Sequence, residues 1–88
     1  MHKRSNLVRV PNVAALNGAI ADGNTDFAIL LSGGLMSRKT ITRKGTRYRV
    51  ENHIDGSVRL LTEAQLFRDG DSNIGKAMNK GALVVYGR

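Results

Sequence analysis

The stretch from Phe27 to Leu61, FAILLSGGLMSRKTITRKGTRYRVENHIDGSVRLL, limits the fold more than any other part of the chain. Short β-type runs are separated by turns that contain Gly, and strand side chains alternate between two faces. An antiparallel meander is therefore expected. Most of the positive charge lies in the same stretch, so one face of that sheet should be apolar and the other basic.

Phe27 to Leu31 is apolar at every position, as in a strand covered on both sides. Ser32 to Ser37 reads as a loop. Its Gly33-Gly34 pair could turn backbone N–H groups toward an anion, but no Walker-type spacing follows. Ser37–Arg43 and Thr46–His53 then read as a hairpin with Lys44-Gly45 as its loop. That register pairs Ile41 with Tyr48 and Lys39 with Val50 on one side. Thr42 with Arg47, Thr40 with Arg49 and Arg38 with Glu51 fall on the other. For the next turn, a three-residue loop, Asp55-Gly56-Ser57, keeps Val58 and Leu60 with Tyr48 and Val50. It also puts His53 opposite Arg59 on the basic side.

The flanks read as helices. Val13, Leu16 and Ile20 fall at helical spacing, with Asn12 as N-cap and Gly23 as stop, so a helix is expected over Val13–Ala21. Thr62-Glu63-Ala64-Gln65 has the spacing of a capping box, with Leu66 and Phe67 packing inward from the helix it opens. Asp69-Gly70-Asp71 breaks that helix. Asp71 or Ser72 caps a second one, Asn73–Asn79, with Ile74 and Met78 on one face. Gly81 ends it, and Ala82–Tyr86 reads as a buried strand. Strands, then helices, then a strand make an α+β domain: a meander of about four strands, a C-terminal strand and two or three short helices.

The four aromatics, Phe27, Tyr48, Phe67 and Tyr86, all follow residue 26. The expected division is a basic extension with a short helix over 1–26 and a single α+β domain over 27–88. Lys3, Arg4 and Arg9 make the extension a frayed tail or a phosphate-touching arm. With 88 residues, 41% apolar and 24% charged, the chain is long enough for one thin core.

Composition then narrows the chemistry. No cysteine is present and only His2 and His53 could ligate as imidazoles, so no metal or other cofactor is expected. The Asp69-to-Asn73 run lacks the later Glu of a calcium loop and reads as a turn with a helix cap. Glu63, Asp69 and Asp71 as a magnesium cluster competes with the capping roles of Glu63 and Asp71. His53, near Glu51 and Arg59, lacks a nucleophile to serve, so it reads as a surface residue and no enzyme is expected. No apolar run approaches the roughly 20 residues of a membrane span. The opening MHKRSNLVRVPN lacks the apolar core of a secretory signal, and a cytoplasmic location is expected.

The segments FAILLSGGLMSRKTI, YRVENHIDGSVRLLTE and SNIGKAMNKGALV resemble small uncharacterised proteins of phages and mobile elements. The resemblance runs from Phe27 to Val85 and implies a phage or prophage setting. No activity and no functional residue travels with it.

Charge points to function. Fourteen Lys and Arg against seven acids give a net charge of +7, which suits an anionic partner. Arg38, Lys39, Arg43, Lys44, Arg47, Arg49 and Arg59 are the candidate nucleic-acid-binding residues, opposed within the stretch by Glu51 and Asp55. The expected register gathers Arg38, Arg47, Arg49 and Arg59 on one face, among Thr40, Thr42 and His53. Guanidinium groups bind phosphate bidentately and hydroxyls add neutral donors. The same pattern also fits an ordinary solvated sheet face. A basic nucleic-acid-binding module is the first expectation. A phage-type accessory or inhibitor protein that binds an acidic host protein is the alternative. The apolar first and last strands could also join two copies through a strand edge.

Overall fold

The computed structural model describes residues 8–31, 34–68 and 73–86. Helix α1 (Val13–Ala21) forms over the predicted residues. The Asn12 side-chain oxygen accepts the Ala15 N–H at 2.9 Å, which satisfies one of the donors left open at a helix start. Gly23, at φ 95°, takes the chain out of the helix.

The strands are β1 (Asp26–Leu31), β2 (Gly34–Lys44), β3 (Arg47–Asn52), β4 (Val58–Thr62) and β5 (Leu83–Val85). Helices α2 (Glu63–Leu66) and α3 (Ile74–Asn79) lie between the last two. The strands form an antiparallel sheet in the order β4-β3-β2-β1-β5. The α+β class, the meander and the C-terminal strand are as the sequence predicted. The first strand is interior, as its unbroken apolar run implies: β1 lies between β2 and β5. Residues 8–10 run along the far side of β5, where Val10 N–H donates to Leu83 O and Val85 N–H to Val8 O, both at 2.8 Å.

All three helices pack on one side of the sheet. Leu16 from α1, Leu66 from α2, and Ile74, Ala77 and Met78 from α3 share a cluster with Phe27, Ile29, Ile41, Tyr48, Val50, Leu61, Leu83 and Val85. Val10 joins the same cluster. The capping box at α2 is closed in both directions: Gln65 N–H donates to Thr62 Oγ1 at 3.2 Å, and Thr62 N–H to Gln65 Oε1 at 2.8 Å. Leu66 is buried as expected, but Phe67 is 42% exposed. Helix α2 ends at Leu66, so Phe67 falls at its C-cap and outside the inward stripe. The β1 run is buried on both sides, since Ala28 and its partner Val84 are fully buried on the face opposite Phe27.

Three strand expectations are corrected. Gly34, Leu35 and Met36 belong to β2, which begins before the expected Ser37, and not to a loop. The β2–β3 turn is Gly45-Thr46, one residue later than expected, so Ile41 pairs with Val50 and Arg43 with Tyr48. The favoured two-residue turns need positive φ at their first central position, and Gly takes it without strain where Lys44 would not. Gly45 sits at φ 64°. The pairing thereby slides by two residues, so each β2 and β3 side chain keeps its face.

The β3–β4 turn does change faces. Asn52 N–H donates to Ser57 O at 2.9 Å and Gly56 N–H to Asn52 O at 2.8 Å, so the loop holds the even run His53 to Gly56. Asn52 Oδ1 accepts the Ile54 N–H and Asp55 Oδ1 the Ser57 N–H, both at 2.9 Å, which stabilises that turn locally. Leu61 now lies opposite Tyr48 and is buried, while Val58 and Leu60 point away from the helices and are exposed.

Candidate nucleic-acid interface

Strand parity sorts the seven predicted basic residues. Arg38, Lys44, Arg47 and Arg49 lie on the face away from the helices. Lys39, Arg43 and Arg59 lie on the helix side, since their partners are Asn52, Tyr48 and Val50. The expected companionship of Arg59 with the other arginines is therefore corrected; the even turn that exposes Leu60 carries Arg59 to the opposite face. His53 does reach the outer face, but beside Thr40 and not opposite Arg59.

The outer basic residues differ in how they are held. A β-bulge interrupts the β1–β2 ladder between Phe27 and Ile29, with Ser37 at φ 53°. Bulges re-aim side chains. Here Arg38 extends over β1 to stack its guanidinium on the Tyr86 ring, 4.1 Å from the centroid. That contact joins three strands and ties the cation to an aromatic face. Arg49 lies 3.7 Å from Glu51, an exposed pair that contributes little to stability. Thr42 faces Arg49, and Lys44 faces Arg47 directly across the Gly45-Thr46 turn. On the other side of the same hairpin end, Arg43 sits 5.5 Å from the Tyr48 ring centroid and donates from Nε to Gly45 O at 3.2 Å.

Thr40 holds a polar knot behind this face. Its Oγ1 is 3.3 Å from Asp26 Oδ1 and 2.7 Å from His53 Nε2. A hydroxyl has one proton to give. If it goes to Asp26, His53 donates from Nε2. The carboxylate and the imidazole thus share one hydroxyl. A nucleophilic triad needs the carboxylate on the far ring nitrogen instead. Nothing in the sequence linked Asp26 to this group; the β1–β2 pairing brings it there.

Lys39 is the predicted contact residue least able to serve as one. It is 6% exposed, beside Phe27 and Asn52 on the helix side. Burial holds its amine below the ordinary lysine range, and the Asp55 charge offsets part of that effect. Because the unfolded chain holds this proton more tightly, stability rises as pH climbs from the folded pKa toward the unfolded one. Lys39→Met is expected to be at least as stable as the natural chain near neutral pH and to lack its alkaline rise. Urea midpoints at about pH 7 and about pH 10 test this. A less stable variant at neutral pH would mean that the amine makes a net favourable contact.

Among the described residues no group of three His, Asp or Glu is placed to hold a metal ion, and no helix is long and apolar enough to cross a membrane. Lys3 and Arg4 of the N-terminal arm lie outside the described residues. So do Ser32 and Gly33 of the anion loop and the Asp69–Ser72 part of the turn, with its Asp71 or Ser72 cap and the two aspartates of the magnesium cluster. Comparison with protein-family models, with curated proteins and with solved structures finds no match.

Proposed function

We propose that this chain is a small, non-catalytic nucleic-acid-binding module whose contact surface is the basic end of the β2–β3 hairpin. One observation carries the proposal: Lys44 and Arg47 are directly opposed across the turn. Like charges in that position destabilise a sheet. A phosphate between them removes the repulsion and gains both cations. Arg49 extends the same face and Arg43 guards the other side, while Thr42 and Thr46 add hydroxyl donors. From Thr40 to Val50 the chain has no acidic residue.

A two-stranded ribbon of this kind suits a duplex groove or its backbone. Tyr48 is buried and Tyr86 lies under Arg38, so stacking of unpaired bases finds no support here. In this reading the module works in the cytoplasm, in the phage or prophage setting that the resemblance implies.

Binding to a mixed-sequence duplex should fall steeply with salt, because each neutralised phosphate adds about 0.9 to the log–log slope. Lys44→Gln/Arg47→Gln should bind more weakly and reduce that slope by about two, with folding unchanged. Fluorescence anisotropy across a salt series measures both quantities. Equal slopes for the natural and doubly substituted chains would remove this surface from consideration.

A further inference from the structure

The two edges of the sheet are unequal. Residues 8–10 bond along β5, whereas among the described residues no segment pairs with the outer side of β4. Ladder alternation shows which groups point outward. Asn52 bonds to Ser57, so Arg59 and Leu61 turn their backbone groups toward β3, and Val58, Leu60 and Thr62 turn theirs away. Gln65 takes the Thr62 N–H. Val58 and Leu60 also carry exposed side chains, at 47% and 52%, and Ile54 in the preceding turn is 72% exposed. Natural edges usually carry Lys, Pro or an inward charge. Here Arg59 puts a charge on the helix side, while the outer face presents two aliphatic residues.

We propose that β4 accepts an extended acidic segment of a partner protein as an added strand. Val58 and Leu60 supply the main-chain bonds and an aliphatic contact. Arg47 and Arg49 lie one strand behind, on the same face. An arginine already spans a strand in this fold, since Arg38 crosses β1 to reach Tyr86. Carboxylates on the incoming strand therefore fall within guanidinium reach. A second copy of this chain suits the edge less well. Each chain carries +7, and a two-fold axis at Leu60 would bring both Arg47–Arg49 sets together. The proposal shares Arg47 and Arg49 with the hairpin surface, but it stands on the β4 edge and does not rest on nucleic-acid binding.

The test titrates the isotope-labelled full chain with the peptide Glu-Glu-Val-Thr-Val-Thr-Glu-Glu and follows amide exchange. Slowed exchange at Val58 and Leu60 is expected, with at least about tenfold weaker binding when Lys replaces each Glu of the peptide. Leu60→Pro removes an outward N–H that makes no bond to β3, so it should leave the sheet intact and weaken the peptide by about tenfold or more. Should that variant fold poorly, Val58→Glu/Leu60→Glu keeps every bond to β3, sets like charges against the peptide's glutamates and should lose the peptide equally. No protection at these amides, or equal binding of the lysine peptide, overturns the proposal. Doubling of mass without peptide, lost in Leu60→Pro, assigns the edge to a second copy instead. Protection of the same amides by a duplex oligonucleotide assigns it to nucleic acid.

Discussion

Leu16→Ala is expected to lower the unfolding free energy of the whole chain by about 2–5 kcal/mol, the usual cost of emptying a fully buried leucine site. Leu16 is the one fully buried residue of α1 and sits among the sheet's own core residues. The helix has little intrinsic support, because it is short and its interior Gly18 costs about 1 kcal/mol relative to Ala. Leu16 is its deepest anchor; Val13, Ala15, Ala19 and Ile20 pack only partly buried, and the Tyr48 hydroxyl donates to Asn17 Oδ1 at 2.6 Å. A domain of this size is stable by only about 5–15 kcal/mol, so the loss should be plain in urea unfolding. The midpoint should fall with the slope unchanged. A change below about 0.5 kcal/mol, the range of ordinary surface substitutions, would show that α1 is not anchored on this core.

Gly75→Ala and Gly18→Ala should have opposite signs. Both glycines lie inside helices, where alanine gains about 1 kcal/mol of propensity. A Cβ on Gly18 meets nothing within 4 Å, so that variant should be more stable by roughly 0.5–1 kcal/mol. A Cβ on Gly75 lies 2.7 Å from both the Leu66 carbonyl oxygen and the Phe67 Cα, and it also strikes Phe67 Cδ1. Backbone cannot swing aside, so α3 must move off the end of α2. Net destabilisation of about 1–3 kcal/mol or more is expected. Removing the Phe67 ring relieves only the side-chain part. Gly75→Ala should therefore remain destabilising in a Phe67→Ala background, as measured by a double-mutant cycle. Neutrality there would locate the whole conflict in the ring and refute the backbone argument.

The same contrast explains which parts of the fold were legible. Helix α1, with its Asn12 cap and Gly23 stop, and the reciprocal Thr62–Gln65 cap were read correctly, because the residues involved are close neighbours in sequence. The apolar alternation of Ile41, Tyr48 and Val50 survived a misplaced turn, since a slide of two residues preserves faces. The next hairpin did not survive. Either member of the Leu60-Leu61 pair can point inward, and the apolar pattern favours an odd loop where an even one forms. That single parity carried Arg59 away from the other arginines and brought Val58 and Leu60 out beside them.

Local chemistry in the sequence determined the α+β class, the caps of α1 and α2, and the presence of a basic hairpin opposite an apolar face. Tertiary structure decided how those charges are distributed. The bulge at Ser37 sends Arg38 across β1 to Tyr86, pairing with β1 buries Lys39 beside Phe27, and the strand order places β4 at the edge of the sheet. Capping and alternation depend on residues a few positions apart. Strand order, bulges and burial depend on partners that the chain meets only once it has folded, and no local pattern encodes them.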